Sequence, residues 1–185
     1  MAKGGARTIA LAPEAGSQRL RTVIRKNISE DDILKAMELV ATQGIRQLKL
    51  YFMIGMPTET DEDIEEIATL VLKCKAILDR HQKGCRITLS IAPFVPKAGT
   101  PFQWLPMADL ADLKRRFSRL KSQLTPKGIE LKTESILWSQ VQGVLARGDA
   151  RLAEALAEIE EVSLPGWRKV MNKCGLDIDS YLYRR

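Results

Sequence analysis

Residues 47–64, QLKLYFMIGMPTETDEDI, decide the fold. Leu48, Leu50, Phe52 and Ile54 alternate with Lys49, Tyr51 and Met53, so one face of an extended segment is apolar. Gly55 and Pro57 end that segment. Thr60 has the chemistry of a helix N-cap, and Asp61, Glu62 and Asp63 follow it in the first turn. There the helix dipole favours an anion by about 0.3–1 kcal/mol each. A stripe of Ile64, Ile67, Val71, Cys74 and Leu78 carries the predicted helix on towards Gly84.

The same unit repeats outward in both directions. On the N-terminal side, Thr8 to Ala12 is a short apolar run ended by Pro13, the pattern of a buried strand. Ser29 and Asp32 then form a weak capping box for a helix with Ile33, Ala36, Met37, Val40 and Ala41 on one face, closed by Gly44. On the C-terminal side, Arg86 to Ala92 reads as a third strand that stops at Pro93. Strands joined by helix-length connections predict right-handed crossovers and a parallel sheet. After Pro106 the texture changes. Leu110, Leu113, Phe117, Leu120 and Leu124 mark a helix, Ile129 to Thr133 a candidate fourth strand, and helices are expected at about 135–147, 150–162 and 166–174. Residues 1–105 thus form an α/β unit, and 106–185 a mainly helical C-terminal extension packed on the sheet or set apart as a small lobe.

The 185 residues (20.7 kDa) suffice for one domain, or one domain and an appendage, with a core that needs no staples. No run of 18 apolar residues is present, and Met1 to Gly5 lacks the apolar stretch of a secretory signal. Cys74, Cys85 and Cys174 are too far apart for a disulfide framework or a Cys-x-x-Cys knuckle, which fits a reducing, cytoplasmic setting without membrane contact. The formal charge of +6 permits nucleic-acid contact, whereas 5% aromatic residues give a poor signal for base stacking. Lys114, Arg115, Arg116, Arg119 and Lys121 form a basic helix face that is either solvated or in contact with RNA. Trp104, Trp138 and Trp167 read as core anchors, Cys74 as core, and His81 as a surface or half-buried side chain.

Parallel α/β sheets bind ligands at the carboxyl ends of their strands, so three junctions are candidates. The first, residues 12–21, holds Glu14, Gly16, Ser17, Arg19 and Arg21. It offers a carboxylate for ribose hydroxyls or an amino group, and guanidiniums for a carboxylate or phosphate. In the second, residues 52–60, Gly55 lets a ligand approach the backbone. The third, residues 92–102, has three prolines that stiffen it, and Phe94 and Val95 offer an apolar wall.

Taken in order, the three junctions resemble the second half of a radical SAM core domain. APEAGSQRLRTVIRKNISEDDIL (12–34) is similar to that family's fourth-strand motif, LYFMIGMPTETDEDIEEI (50–67) to its fifth-strand glycine motif, and IAPFVPKAGTPFQW (91–104) to its sixth-strand motif. VLARGDARLAEAL (144–156) is similar to the cobalamin-associated members. The resemblance covers about residues 6–105. It implies half of a partial (β/α) TIM-type barrel and a site for S-adenosylmethionine. Glu14 and Ser17 would then meet the ribose or methionine part, and Arg19, Arg21 or Lys26 the carboxylate. Met53, Ile54 and Gly55 would face the adenine, with Phe94 and Val95 closing over the ring.

The Cys-x-x-x-Cys-x-x-Cys loop that holds the family's four-iron four-sulfur cluster does not occur in the sequence, nor does a Gly-Gly-Glu motif. The expectation is therefore a fragment, inactive alone, with no catalytic residue and no metal ligand of its own. Its partner would be the missing N-terminal half of the barrel, and the cluster would belong to a parent enzyme. Cobalamin is a further candidate cofactor of that parent, and RNA or protein a candidate substrate. The competing reading is a basic α/β module that binds RNA or a protein without catalysis.

Overall fold

The computed structural model describes Gly5, residues 7–81 and residues 84–183. Its centre is a four-stranded sheet in the order β1 (Thr8–Glu14), β2 (Gln47–Ile54), β3 (Arg86–Pro93) and β4 (Glu130–Thr133). Every neighbouring pair is parallel. Spatial order equals chain order, the pattern of a singly wound barrel segment; a doubly wound sheet reverses its order at a switch point.

The crossover helices lie on one face. They are α2 (Glu30–Thr42), α3 (Asp61–His81) and α4 (Leu110–Leu124), with a short α1 (Gln18–Val23) just after β1. Leu48, Leu50, Phe52 and Ile54 of β2 meet Met37, Ile64, Ile67, Val71 and Leu113 in one continuous core. Lys49, Tyr51 and Met53 point to the other face, which no helix of this layer covers, and Tyr51 is 41% exposed there. Across that face a polar chain links all four strands. The Thr8 hydroxyl donates to Gln47 Oε1 at 3.2 Å, Gln47 Nε2 to Thr88 Oγ1 at 3.4 Å, and the Thr88 hydroxyl to Glu130 Oε2 at 3.0 Å. One apolar face and one polar face is what the period-two pattern of residues 47–54 demands. A parallel α/β half-barrel with a mainly helical extension is thus the architecture.

The extension has its own core. It comprises α5 (Ile136–Arg147), α6 (Arg151–Ala157), α7 (Leu164–Lys173) and α8 (Ile178–Leu182). Met107, Val144, Leu152, Ala155, Trp167, Met171, Tyr181 and Leu182 pack together. The lobe is bolted to the segment that follows β3. Ala98 N donates to Ala146 O, Met107 N to Leu182 O, and Arg147 Nη1 to Leu105 O at 2.8 Å.

Four local expectations change. The first strand does not stop at Pro13 but runs to Glu14 through an irregularity between Leu11 and Glu14; a missing amide is tolerated because β1 is an edge strand. The packing changes near residue 134 rather than at 105, because α4 and β4 join the sheet's core. The helix expected over 150–162 ends at Ala157, where Glu158, Glu160 and Glu161 would load the negative end of its dipole. Of the three tryptophans only Trp167 is a core anchor; Trp104 is 73% and Trp138 41% exposed.

Candidate cofactor site

The parallel strands bring the carboxyl ends of β1, β2 and β3 to one pole. At the first junction Glu14 has φ 67°, in the left-handed region that non-glycine residues rarely occupy. Its half-buried carboxylate lies 3.5 Å from Lys26 Nζ. Next, Gly16 presses onto the backbone of α3: a Cβ there would fall 2.6 Å from the Glu66 carbonyl carbon and nearer still to Ile67 N. Ser17 caps α1, accepting from Leu20 N at 3.0 Å, and its hydroxyl donates to Asp63 Oδ1 at 2.5 Å.

Asp63 ties the first junction to the second. Besides Ser17 it accepts from Thr60 N at 2.7 Å and from Arg19 Nη2. Arg19 also donates to the Thr58 carbonyl at 2.7 Å. Burial raises the Asp63 carboxyl, but the bonds from Arg19, Ser17 and Thr60 outweigh it and hold the group below the ordinary carboxylate range. Glu59 is the contrasting carboxyl. Its side chain is fully buried; Gly55 N donates to Oε2 at 2.5 Å, and Arg116 also pairs with that oxygen. Burial pushes it up to about 7 against the opposing pull of Gly55 and Arg116, and Oε1 has no hydrogen-bond partner.

Above these polar ties sits an apolar cluster with members from all three junctions. Ala15 and Leu20 come from the first, Met53 and Met56 from the second, Phe94 and Phe102 from the third. The Phe94 and Phe102 rings meet edge to face at 5.6 Å and 88°. The cluster gives the strand ends an apolar surface to which all three junctions contribute.

Of the sequence candidates, Met53 and Phe94 belong to this apolar mouth, Glu14 pairs with Lys26 at the end of β1, and Arg19 is half-exposed. The structure turns other candidates inward. Ser17 is buried between Leu20 and Asp63. The fully buried Arg21 donates to the Ala15 and Gly16 carbonyls at 3.0 and 2.7 Å, bracing the loop instead of reaching a ligand. Ile54 belongs to the core beneath, and its carbonyl accepts from Phe94 N at 2.8 Å. Gly55, at φ 81°, is covered by Ala108 and Leu113 and gives its amide to Glu59. Val95 packs into the C-terminal lobe, away from Phe94.

Asp63, Glu59 and Phe102 went unassigned in the sequence. The only trace of Asp63 was its place three residues after Thr60, a capping signature that the structure keeps. The basic face of α4 proves largely neutralised. Arg115 pairs with Asp61 at 2.8 Å and with Asp112, Arg116 with Glu59, and Arg119 with Glu65 and Asp61. A phosphate would have to compete with those carboxylates for the guanidiniums.

The cysteines do not fit an iron–sulfur cluster. Cys74 is buried in the core of α3 with its thiol pushed up to about 12 by burial. Cys85 lies at the opposite pole, before β3, and Cys174 ends α7. None of the three is at the mouth.

No helix among the described residues is long and apolar enough to cross a membrane. No solved structure matches the chain. An uncharacterized protein of Methanocaldococcus jannaschii is 39% identical over 150 residues, which cover 81% of this chain and 32% of that protein. The chain therefore spans about a third of the length of the relative it matches. Residues 1–71, which contain β1, β2 and the first two junctions, match the radical SAM superfamily.

Proposed function

We propose that this chain supplies part of an S-adenosylmethionine site in a radical SAM enzyme. The convergence of three strand ends on the Phe94–Phe102 cluster carries the reading. Phe94, Phe102 and Met53 seat the adenine ring and exclude water from one face of it. Glu14 accepts from the ribose hydroxyls. Lys26, or the half-exposed Arg19, pairs with the methionine carboxylate. Asp63 and Arg21 hold the first loop in the shape this requires. When bound, S-adenosylmethionine would supply radical chemistry, with the electron coming from a four-iron cluster that these residues do not ligate.

The cluster ligands and the rest of the barrel come, on this reading, from sequence outside the chain, which alone is inactive. Among the described residues no strand pairs with the outer edge of β1, which supports that partner. Beside that edge Leu11, Pro13, Ile28, Ile33 and Ala36, with Asp32 also in the lining, form a mainly apolar hollow of about 140 Å³, suited to the flank of a preceding strand and helix. Cobalamin enters only through the resemblance of residues 144–156, and the RNA or protein substrate of the parent stays open with it. We assign the protein to the cytoplasm on its dispersed cysteines.

The test is titration of S-adenosylmethionine into the ¹⁵N-labelled chain. Shifts are expected at the amides of Glu14, Met53, Phe94 and Phe102, at least tenfold weaker in Glu14→Ala. Silence at millimolar ligand, or shifts confined to residues 134–183, overturns the assignment.

A further inference from the structure

The C-terminal lobe leaves an apolar trough uncovered. Trp138, Val141 and Leu145 stand at i, i+3 and i+7 along one face of α5. Leu156 and Val162 line the facing wall, with Trp167 at the base. Two adjoining hollows of about 300 and 390 Å³ share the α5 residues. Leu145 is 46%, Leu156 45% and Val162 84% exposed. Large apolar side chains gathered in a concavity on the outside of a folded lobe mark a binding surface.

Charge selects the occupant. Residues 134–185 carry eight carboxylates against seven lysines and arginines, a formal −1, although the whole chain is +6. Glu134 lies at one end of the trough, and Glu158, Glu160 and Glu161, together with Lys169 and Lys173, line the hollow that adjoins its other end, four carboxylates in all against two ammoniums. Glu158 is held by Lys173 at 2.6 Å, whereas Glu134, Glu160 and Glu161 have no ion-pair partner among the described residues. From Trp138 to Leu145 the α5 wall runs about 10 Å, the length of two helical turns.

We propose that this trough docks a basic amphipathic helix of a partner protein. The apolar stripe of that helix lies on Trp138, Leu145 and Leu156, and its lysines or arginines face Glu134, Glu160 and Glu161. The proposal is independent of the cofactor reading, because no residue of the trough belongs to the three strand-end junctions.

The probe is a synthetic amphipathic Leu/Lys helix of about 18 residues, compared with a Leu/Glu helix of the same apolar pattern. Saturable one-to-one binding of the Leu/Lys peptide is expected, with a blue shift of tryptophan emission that disappears in Trp138→Phe. Leu145→Glu should weaken binding at least tenfold, and Leu39→Glu, an exposed leucine on α2, should leave it unchanged. Should Leu145→Glu fail to fold, Val162→Glu replaces it, since that side chain is almost fully exposed. Glu160→Gln with Glu161→Gln should weaken binding severalfold and flatten its salt dependence. Equal binding of the Leu/Glu peptide, or indifference to Leu145→Glu and Val162→Glu, overturns the proposal. So does sedimentation showing a concentration-dependent dimer that Leu145→Glu abolishes, which would make the occupant a second copy.

Discussion

The half-barrel and the C-terminal lobe use their apolar residues in opposite ways. In the half-barrel the apolar faces of β2 and β3 are closed over by α2, α3 and α4, and polar ties at the strand ends hold the loops. In the lobe a small core is complete, yet Trp138, Leu145, Leu156 and Val162 remain outside it. The first region is built to fix the positions of loops; the second keeps a surface for contact. A sheet orders its loop ends together because all its strands share one register, whereas short helices linked by short turns can each leave a face free.

The difference is open to attack at several points. Gly16→Val should have the largest effect. The side chain would run into the α3 backbone, and a loss of more than about 4 kcal/mol is expected, read as a collapse of the denaturation midpoint. Met171→Ala should cost about 2–5 kcal/mol and sharpen the division between the two cores. Hydrogen exchange should show the lobe's amides losing protection while those of β2 keep theirs. Equal loss in both regions would merge them into one cooperative unit.

Asp63→Asn should cost about 1–3 kcal/mol, because the Arg19 guanidinium loses its carboxylate and the Ser17 hydroxyl its charged acceptor. The expected readout is a lower unfolding midpoint together with faster exchange at residues 15–21.

A smaller effect concerns pH. Glu59 holds its proton more tightly folded than unfolded, so the native state binds more protons across the interval from the ordinary carboxyl range to about 7. Its contribution is therefore present at the acid end and is lost as pH rises through about 7. Asp63 runs the other way: its contribution is present above the ordinary carboxyl range and fades as pH falls below it. Urea midpoints measured between pH 5 and 8 should decline towards pH 8, and Glu59→Gln should flatten that decline. The smallest effect is expected from Arg115→Ala. Its pairs with Asp61 and Asp112 are solvent-screened, and the unfolding midpoint should not move measurably.

Strands, helices and the existence of three candidate junctions were legible in residues 8–93, since period-two and period-3.6 patterns leave a direct mark on the sequence. Roles within the junctions were less so. Arg21 and Ser17 look like ligand groups in the sequence, but a buried guanidinium among carbonyls and a hydroxyl on Asp63 are outcomes of packing. Likewise Val95 and Phe94 are neighbours in the chain, yet they belong to different cores.

Local periodicity, capping and the order of crossovers were enough to determine a parallel sheet with its strand ends at one pole, because those forces act within a few residues or a single connection. Only the tertiary structure decided which carboxylates are buried, which arginines on α4 are neutralised, where the second core begins, and which tryptophans stay in water. Each depends on what lies opposite in space, dozens of residues away in the chain, and burial and charge pairing carry no local period from which to read them.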